Sequence, residues 1–311
     1  MNKSKGTKIV SSLVLLLLVA VWMWGKEFYG RNEVLARIYV CDVGQGDATY
    51  IRFSFGVDML IDGGPTKRVL DCLAGAMPFY DREIDVVMLT HPQADHLNGL
   101  VEVVKRFEVG MFVTSPAGNE TEKFRELTDE LSEKQIQVVN LYSGQSLSLG
   151  EGAKMEMIWP ERSWVADKLC SPSTCPILSS REEPVLGVTT DSNLNDFSLM
   201  GILTVGDFDM LFTGDGDERI QDEILAMGWG KGKSIEVMKI PHHGSKTGLD
   251  NEFLSRFKPL LGVISVGKDN RYGHPAAEMI DMLEEGGVEV RRTDSQGTVV
   301  VETDGEMWRV E

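Results

Sequence analysis

The sequence predicts a mixed α/β (α+β) fold in which two sheets stack face to face with helices on their outer sides. Two observations carry this. Short apolar runs alternate with helical patterns from residue 37 onward. The order is strands first and strand–helix units afterwards, and it occurs once in each half of the chain. A layered sandwich buries one face of each sheet and one stripe of each helix, so two such halves point to two packed sheets.

The segment before the first strand has a different character. Lys3, Lys5 and Lys8 precede a run without charge from Ile9 to Gly25. A stretch of that length is at the short limit for crossing a bilayer, and Trp22 and Trp24 suit its interface. No small-x-small cleavage site precedes Lys26. Residues 1–26 are therefore expected to be an uncleaved signal anchor rather than a cleaved signal peptide. The domain would face outside the cytoplasm on a membrane anchor, or be secreted if the segment is removed.

In the first half, "RIYVCDVGQGD", "ATYIRFSF" and "VDMLIDGG" read as three strands joined by Gly-rich or polar turns. "TKRVLDCLAGAM" reads as a helix. "IDVVMLTH" is a buried strand that delivers its end to His91, and "NGLVEVVKRF" is an amphipathic helix. "VGMFVTSP", "TEKFRELTDELSEK" and "QVVNLYSG" continue as strand, helix and strand, and "SLSLGEGAKMEMIWP" as a hairpin. Residues 161–193, rich in Ser, Pro, Thr and charge, read as an inserted loop or lid. "FSLMGILTVGDFDMLFTGD" is a hairpin turning at Gly206-Asp207. Helix "ERIQDEILAM", strand "IEVMKI", helix "NEFLSRF", strand "LGVISVG" and helix "AAEMIDMLEEG" follow, with a terminal hairpin from Val288 to Val310.

The chain has 311 residues, 42% of them hydrophobic and 25% charged, which suits a globular domain with a sizeable core. Its formal net charge of −17 disfavours nucleic-acid backbone and anionic lipid as partners on charge alone. Of four cysteines, Cys41 and Cys72 lie in apolar surroundings and are expected to be buried thiols. Cys170 and Cys175, in "CSPSTC", are placed to close a small disulfide loop if the domain is exported.

Six polar clusters stand where strands end: Asp42 to Asp47, Asp62-Gly-Gly64, His91 to His96, Gly214-Asp215, Pro241 to Ser245 and Gly273-His274-Pro275. All five histidines fall in them. Loops at strand ends can converge on one point. Imidazole and carboxylate are the ligands that zinc and manganese accept. His91, Asp95, His96, Asp215 and His274 supply three nitrogens and two carboxylates. Taken singly, the later clusters have plainer readings, a turn with a capping Asp for "TGD" and a turn before a helix for "HHGS".

Taken in order, "CDVGQGDATYI", "LIDGG", "THPQADHLNGL", "LFTGD", "KIPHHGSKTG" and "SVGKDNRYGHP" resemble the metallo-β-lactamase superfamily. They are most similar to the branch that includes the extracellular hydrolase domain of the competence protein ComEC. The resemblance covers about residues 36–305 and implies an αββα sandwich with metals at one edge. It implies a metal-dependent hydrolase, a phosphodiesterase or nuclease, that uses metal-activated water. Other esters, such as a cell-wall phosphocholine or a lactone, and a non-catalytic metal- or ligand-binding module are the alternatives. It implies metal ligands at His91, Asp95, His96, Asp215 and His274, with Asp215 as the bridge and Asp62 in support. His242 or His243 takes the place of a histidine that contacts the substrate or protonates the leaving group, or one of the pair ligates metal. Asp42, Asp47, Asn195 and Ser245 complete the supporting set. Gln93 stands where the wider superfamily has histidine, and Asn195 falls where another histidine ligand is frequent. Both weaken one of two metal positions, so one firm zinc or manganese site and a weaker second are expected. With a single apolar segment in this sequence, DNA uptake by this chain alone is not expected, and nothing in it speaks to a channel partner.

Overall fold

A computed structural model describes residues 34–170 and 186–311. The expected signal anchor at 1–26 therefore lies outside the described residues, as does Cys175. Among the described residues no helix is long and apolar enough to cross a membrane.

The strands are β1 (Ala36–Val40), β2 (Thr49–Phe53), β3 (Asp58–Ile61), β4 (Glu83–Leu89), β5 (Glu108–Thr114), β6 (Gln137–Asn140), β7 (Ser146–Gly150) and β8 (Ala153–Trp159). They continue as β9 (Met200–Val205), β10 (Phe208–Phe212), β11 (Val237–Lys239), β12 (Leu261–Ile264), β13 (Glu289–Arg292), β14 (Val299–Thr303) and β15 (Trp308–Val310). One sheet runs β15-β14-β1-β2-β3-β4-β5-β6 and the other β13-β12-β11-β10-β9-β8-β7. Alternation along β1 and β2 sends Ile38 and Ile51 inward, where they join Met155, Met157, Leu203, Met210 and Val263 of the facing sheet in one apolar layer. The opposite face of each sheet is covered by helices. Leu97, Leu100, Val101 and Val104 of helix Ala94–Arg106 pack on the first sheet, and Phe253 and Phe257 of helix Asn251–Phe257 on the second. The observed architecture is thus the expected sandwich, and Leu35–Glu311 forms one compact unit.

β3, β4, β5 and β6 are mutually parallel, as are β10, β11, β12 and β13. Parallel strands end at the same edge, so Asp62, His91, Asp215 and His242-His243 all leave their strands on one side of the molecule.

Three expectations are corrected. Cys41 and Cys72 are not thiols but form a disulfide with Cα atoms 5.9 Å apart. Burial of Cys41 gave the apolar surroundings, and the turn of helix Val69–Ala76 against the end of β1 supplied the partner. Residues 288–310 do not form one hairpin. β13 pairs in parallel with β12, and only β14 and β15 form an antiparallel pair, in the other sheet. Between 161 and 193 the described part is not all loop: Arg162–Leu169 is a helix whose first turn is capped by the Glu161 side chain accepting from Trp164 N at 2.9 Å. Cys170 at its end is disulfide-bonded.

Candidate metal centre

β4 ends at Leu89, and Thr90, His91 and Pro92 lead straight into helix Ala94–Arg106, which places Asp95 and His96 in its first turn. Gln93 is the residue before that helix. Its side chain makes no capping hydrogen bond. Backbone at Asp62, His242 and His243 has positive φ (59°, 49° and 54°), a region that costs a non-glycine residue about 1–3 kcal/mol each and persists where the surroundings enforce it. The strain turns these side chains toward the same edge.

Asp95, His96, Asp215 and His243 bring ligand atoms within 4.8 Å of one another. His96 Nε2 lies 3.4 Å from Asp215 Oδ1, and His243 Nε2 lies 3.4 Å from Asp95 Oδ2 and 3.5 Å from Asp215 Oδ2. Atoms that bind one tetrahedral ion at about 2.1 Å stand roughly 3.4 Å apart, so this spacing is that of ligands around an ion. The rings of His91 and His96 are 4.1 Å apart, so His91 stands beside this group of four without being one of them.

The hydrogen bonds behind the rings set which nitrogen faces the group. Thr90 Oγ1 donates to Asp62 Oδ2 at 2.8 Å and therefore accepts from His91 Nδ1 at 3.1 Å. His96 Nδ1 pairs with Asp62 Oδ2 at 2.8 Å, and His243 Nδ1 donates to the Ser265 carbonyl at 3.0 Å. Each ring thus turns its Nε2 inward, the arrangement that fixes a metal-binding tautomer. His91 Nε2, His96 Nε2, His243 Nε2 and Asp215 Oδ1 are buried and have no hydrogen-bond partner. Leaving such atoms unpaired costs about 1–3 kcal/mol each, and a cation at their midst removes that cost. The residues fit a metal, and an all-nitrogen-and-oxygen donor set fits zinc, manganese or iron.

Charge compensation is equally tight. Burial pushes His91 down to about 3, with His96 adding to it, so it stays neutral. For His96 burial acts downward but Asp215 and Asp62 prevail and raise it well above the usual range. His243 is pushed up to about 10, where Asp215 and Asp47 outweigh burial. Asp215 falls well below the usual carboxylate range because His243 and His96 outweigh its burial. A divalent ion entering this group competes with protons for the same sites.

The other expected residues are distributed around it. His242 Nε2 is 4.0 Å from Asp215 Oδ2, and its ring is 6.1 Å from that of His274. His274 is not in the group defined by Asp95, His96, Asp215 and His243; its ring stacks on exposed Tyr272 at 5.8 Å. Asp47 lies 3.4 Å from His243 Nδ1, on the side away from Nε2. Asn195 is buried in a 3₁₀ turn (Leu194–Phe197) with Oδ1 unpaired, and Ser245 is buried with Oγ unpaired. Asp42 is turned away, held by Arg68 Nη2 at 3.1 Å.

Three further residues belong to the centre. Thr90 ties Asp62 to His91 as above. Ser198 Oγ lies 3.3 Å from His91 Nδ1 and accepts from Asp215 N at 3.2 Å. Lys239, buried at the end of β11, pairs with Asp47. Its signal in the sequence was a lysine set between Met238 and Ile240 in the strand run "IEVMKI".

Residues 58–185 match the beta-lactamase superfamily domain. The resemblance read from the sequence is borne out. The chain is 24% identical to ComE operon protein 3 of Bacillus subtilis (strain 168) over 218 residues, 70% of this chain and 24% of that protein. It is 24% identical to competence protein ComA of Neisseria gonorrhoeae over 291 residues, 92% of this chain and 34% of that protein. The chain thus spans about a quarter to a third of the length of these curated relatives. Among solved structures, Igni18, a metallo hydrolase from the archaeon Ignicoccus hospitalis, matches at TM-score 0.50 and 16% identity, over 86% of this chain and 99% of that one. The fold is that of the superfamily's metal-dependent hydrolases, and it carries a group of residues able to hold a metal.

Proposed function

We propose that the chain is a metal-dependent hydrolase of phosphodiesters, working outside the cytoplasm. The observation that carries this reading is the set of inward, unpartnered Nε2 atoms of His91, His96 and His243 beside Asp215 and Asp95. In this reading those five residues hold one zinc or manganese ion. The ion, when bound, supplies Lewis acidity and an acidified water. His243 takes the ligand place that the sequence pattern gave to His274, and His242 with His274 faces the leaving group. His242 is suited to hand a proton to the departing oxygen: its side chain is partly open to solvent and 4.0 Å from Asp215. Asp62 and Thr90 keep His96 and His91 in the required tautomers.

The name of one relative, competence protein ComA, supports a nucleic-acid phosphodiester; the net charge of −17 opposes non-specific binding to one. Export is supported by the Cys41–Cys72 disulfide and by the charge-free run from Ile9 to Gly25.

The test is turnover by the full chain, loaded with Mn²⁺ or Zn²⁺, of bis-p-nitrophenyl phosphate, single-stranded DNA, p-nitrophenyl phosphorylcholine and a lactone. Diester hydrolysis is expected, with a loss of at least about 100-fold in Asp95→Ala, in line with loss of a metal ligand or its orientation. Hydrolysis of the lactone alone would overturn the diester reading; turnover of p-nitrophenyl phosphorylcholine alone, itself a phosphodiester, would keep it and exclude nucleic acid as the substrate. A full metal complement with no turnover would make the chain a binding module.

A further inference from the structure

Behind the metal-facing atoms lies a second layer. Asp47, Asp62 and His96 bring ligand atoms within 4.8 Å of one another and are all buried. By composition this is a second place for a cation, next to the first. Two of its ligand atoms are already engaged, while Asp47 Oδ1, buried without a hydrogen-bond partner, stands 3.4 Å from His243 Nδ1. His96 presents Nδ1 to this layer, and that nitrogen is taken by Asp62. Asp47 Oδ2 is taken by the Lys239 ammonium.

Lys239 is 3% exposed, too deep for a lysine unless its charge is fully compensated. It donates to the Gly214 carbonyl at 3.0 Å and lies 3.8 Å from Asp215 Oδ1, in addition to its pairing with Asp47. Three oxygens from two segments thus surround one ammonium. Both segments, at Asp47 and at Gly214-Asp215, also face the histidines of the metal group: Asp47 stands 3.4 Å from His243 Nδ1, and Asp215 Oδ1 stands 3.4 Å from His96 Nε2.

We propose that Lys239 is the permanent second cation of the centre, standing where a second metal ion would otherwise sit, so that each chain takes one divalent ion rather than two. The proposal rests on the metal-centre reading above and goes beyond it. In it the carboxylates of Asp47 and Asp215, which would otherwise call for a second ion, are neutralised by a side chain of the chain itself. Lys239 is a positioning residue here, since it holds Asp47 and Asp215 and touches no reacting atom.

The test counts ions. The full-length wild type, Lys239→Ala and Lys239→Met are equilibrated with Mn²⁺, and bound metal per chain is measured by elemental analysis and by calorimetric titration. One ion per chain is expected for the wild type. Two are expected for Lys239→Ala, since removing the side chain leaves Asp47, Asp215 and the Gly214 carbonyl as an all-oxygen set that a hard cation accepts. Lys239→Met refills the space without the charge and is expected to stay at one. Two ions in the wild type, or one in a folded Lys239→Ala, would overturn the proposal. If Lys239→Ala does not fold without metal, Mn²⁺ is expected to restore its melting transition, and failure to do so would also overturn it. Anomalous scattering from Mn²⁺-loaded wild-type crystals provides an arm independent of any variant: one peak among His91, His96, His243 and Asp215 is expected, and a second beside Asp47 would refute it. A wild type that binds no ion at all would instead refute the metal-centre reading.

Discussion

Asp58, at the start of β3 and far along the strand from the metal edge, shows what burial does to a single carboxylate here. It is 2% exposed and accepts from the Tyr50 hydroxyl at 2.6 Å. Burial, the largest effect, pushes it up to about 6 from an ordinary 3.8, against the pull of Tyr50 and of the Asp85 backbone N–H. The folded state therefore holds this proton more tightly than the unfolded chain does. Its contribution is fully present below about pH 4 and is lost as pH rises through about 6. A shift of that size is worth about 3 kcal/mol at most. Urea denaturation of the wild type and Asp58→Asn at pH 4.5 and 7.5 checks this. The wild type should lose stability relative to the variant on going to the higher pH, and equal pH dependence in both would refute it. At this scale the sequence was most legible where residue type and position are both unusual, as in "HPQADH". It was least legible at His243 and His274, where only the backbone turn at positive φ decides which ring reaches Asp215 and Asp95.

At the scale of elements, helix Ala94–Arg106 carries Asp95 and His96, so its seat decides the geometry of the centre. It approaches the loop after β3 so closely that a Cβ on Gly99 would come 1.9 Å from the Gly63 carbonyl oxygen and 2.6 Å from that of Thr66. Backbone cannot yield as a flexible side chain does. Gly99→Ala is expected to cost about 2–3 kcal/mol through overpacking and to weaken metal binding by displacing His96. Gly75→Ala is the control, because a Cβ there meets nothing within 4 Å and lies in a helix, where alanine is favoured by about 0.5–1 kcal/mol. Thermal melts of the two variants should move in opposite directions. Elements defined by local pattern were legible from sequence: the two-residue turn at Gly206-Asp207 joins β9 to β10 as expected, with Val205 opposite Phe208. β13 was misassigned for the converse reason. Its own residues announce a strand, but its parallel partner β12 lies across a helix, and local sequence does not say which neighbour a strand will choose.

For the whole molecule, the Cys41–Cys72 bridge closes a loop of 31 residues that includes β2, β3 and the Asp47 and Asp62 turns. Loop-closure entropy for that length gives about 3–4 kcal/mol. Cys41→Ala/Cys72→Ala is expected to unfold at lower urea by an amount corresponding to this, and an unchanged midpoint would show that the bridge does not constrain the unfolded chain. The sequence by itself determined the layered α/β class, the order of its strands and helices, and the gathering of every histidine at strand ends. Those features are local: periodicity, turn chemistry and residue type act within a few positions. Tertiary structure alone decided that Cys41 meets Cys72, that His243 rather than His274 joins Asp95, His96 and Asp215, and that the Lys239 ammonium lies between Asp47 and Asp215. Each of these joins groups 24 or more residues apart, or depends on which way a strained turn faces. Such contacts are set by how helices, turns and sheets pack together, and no pattern in the neighbouring sequence encodes them.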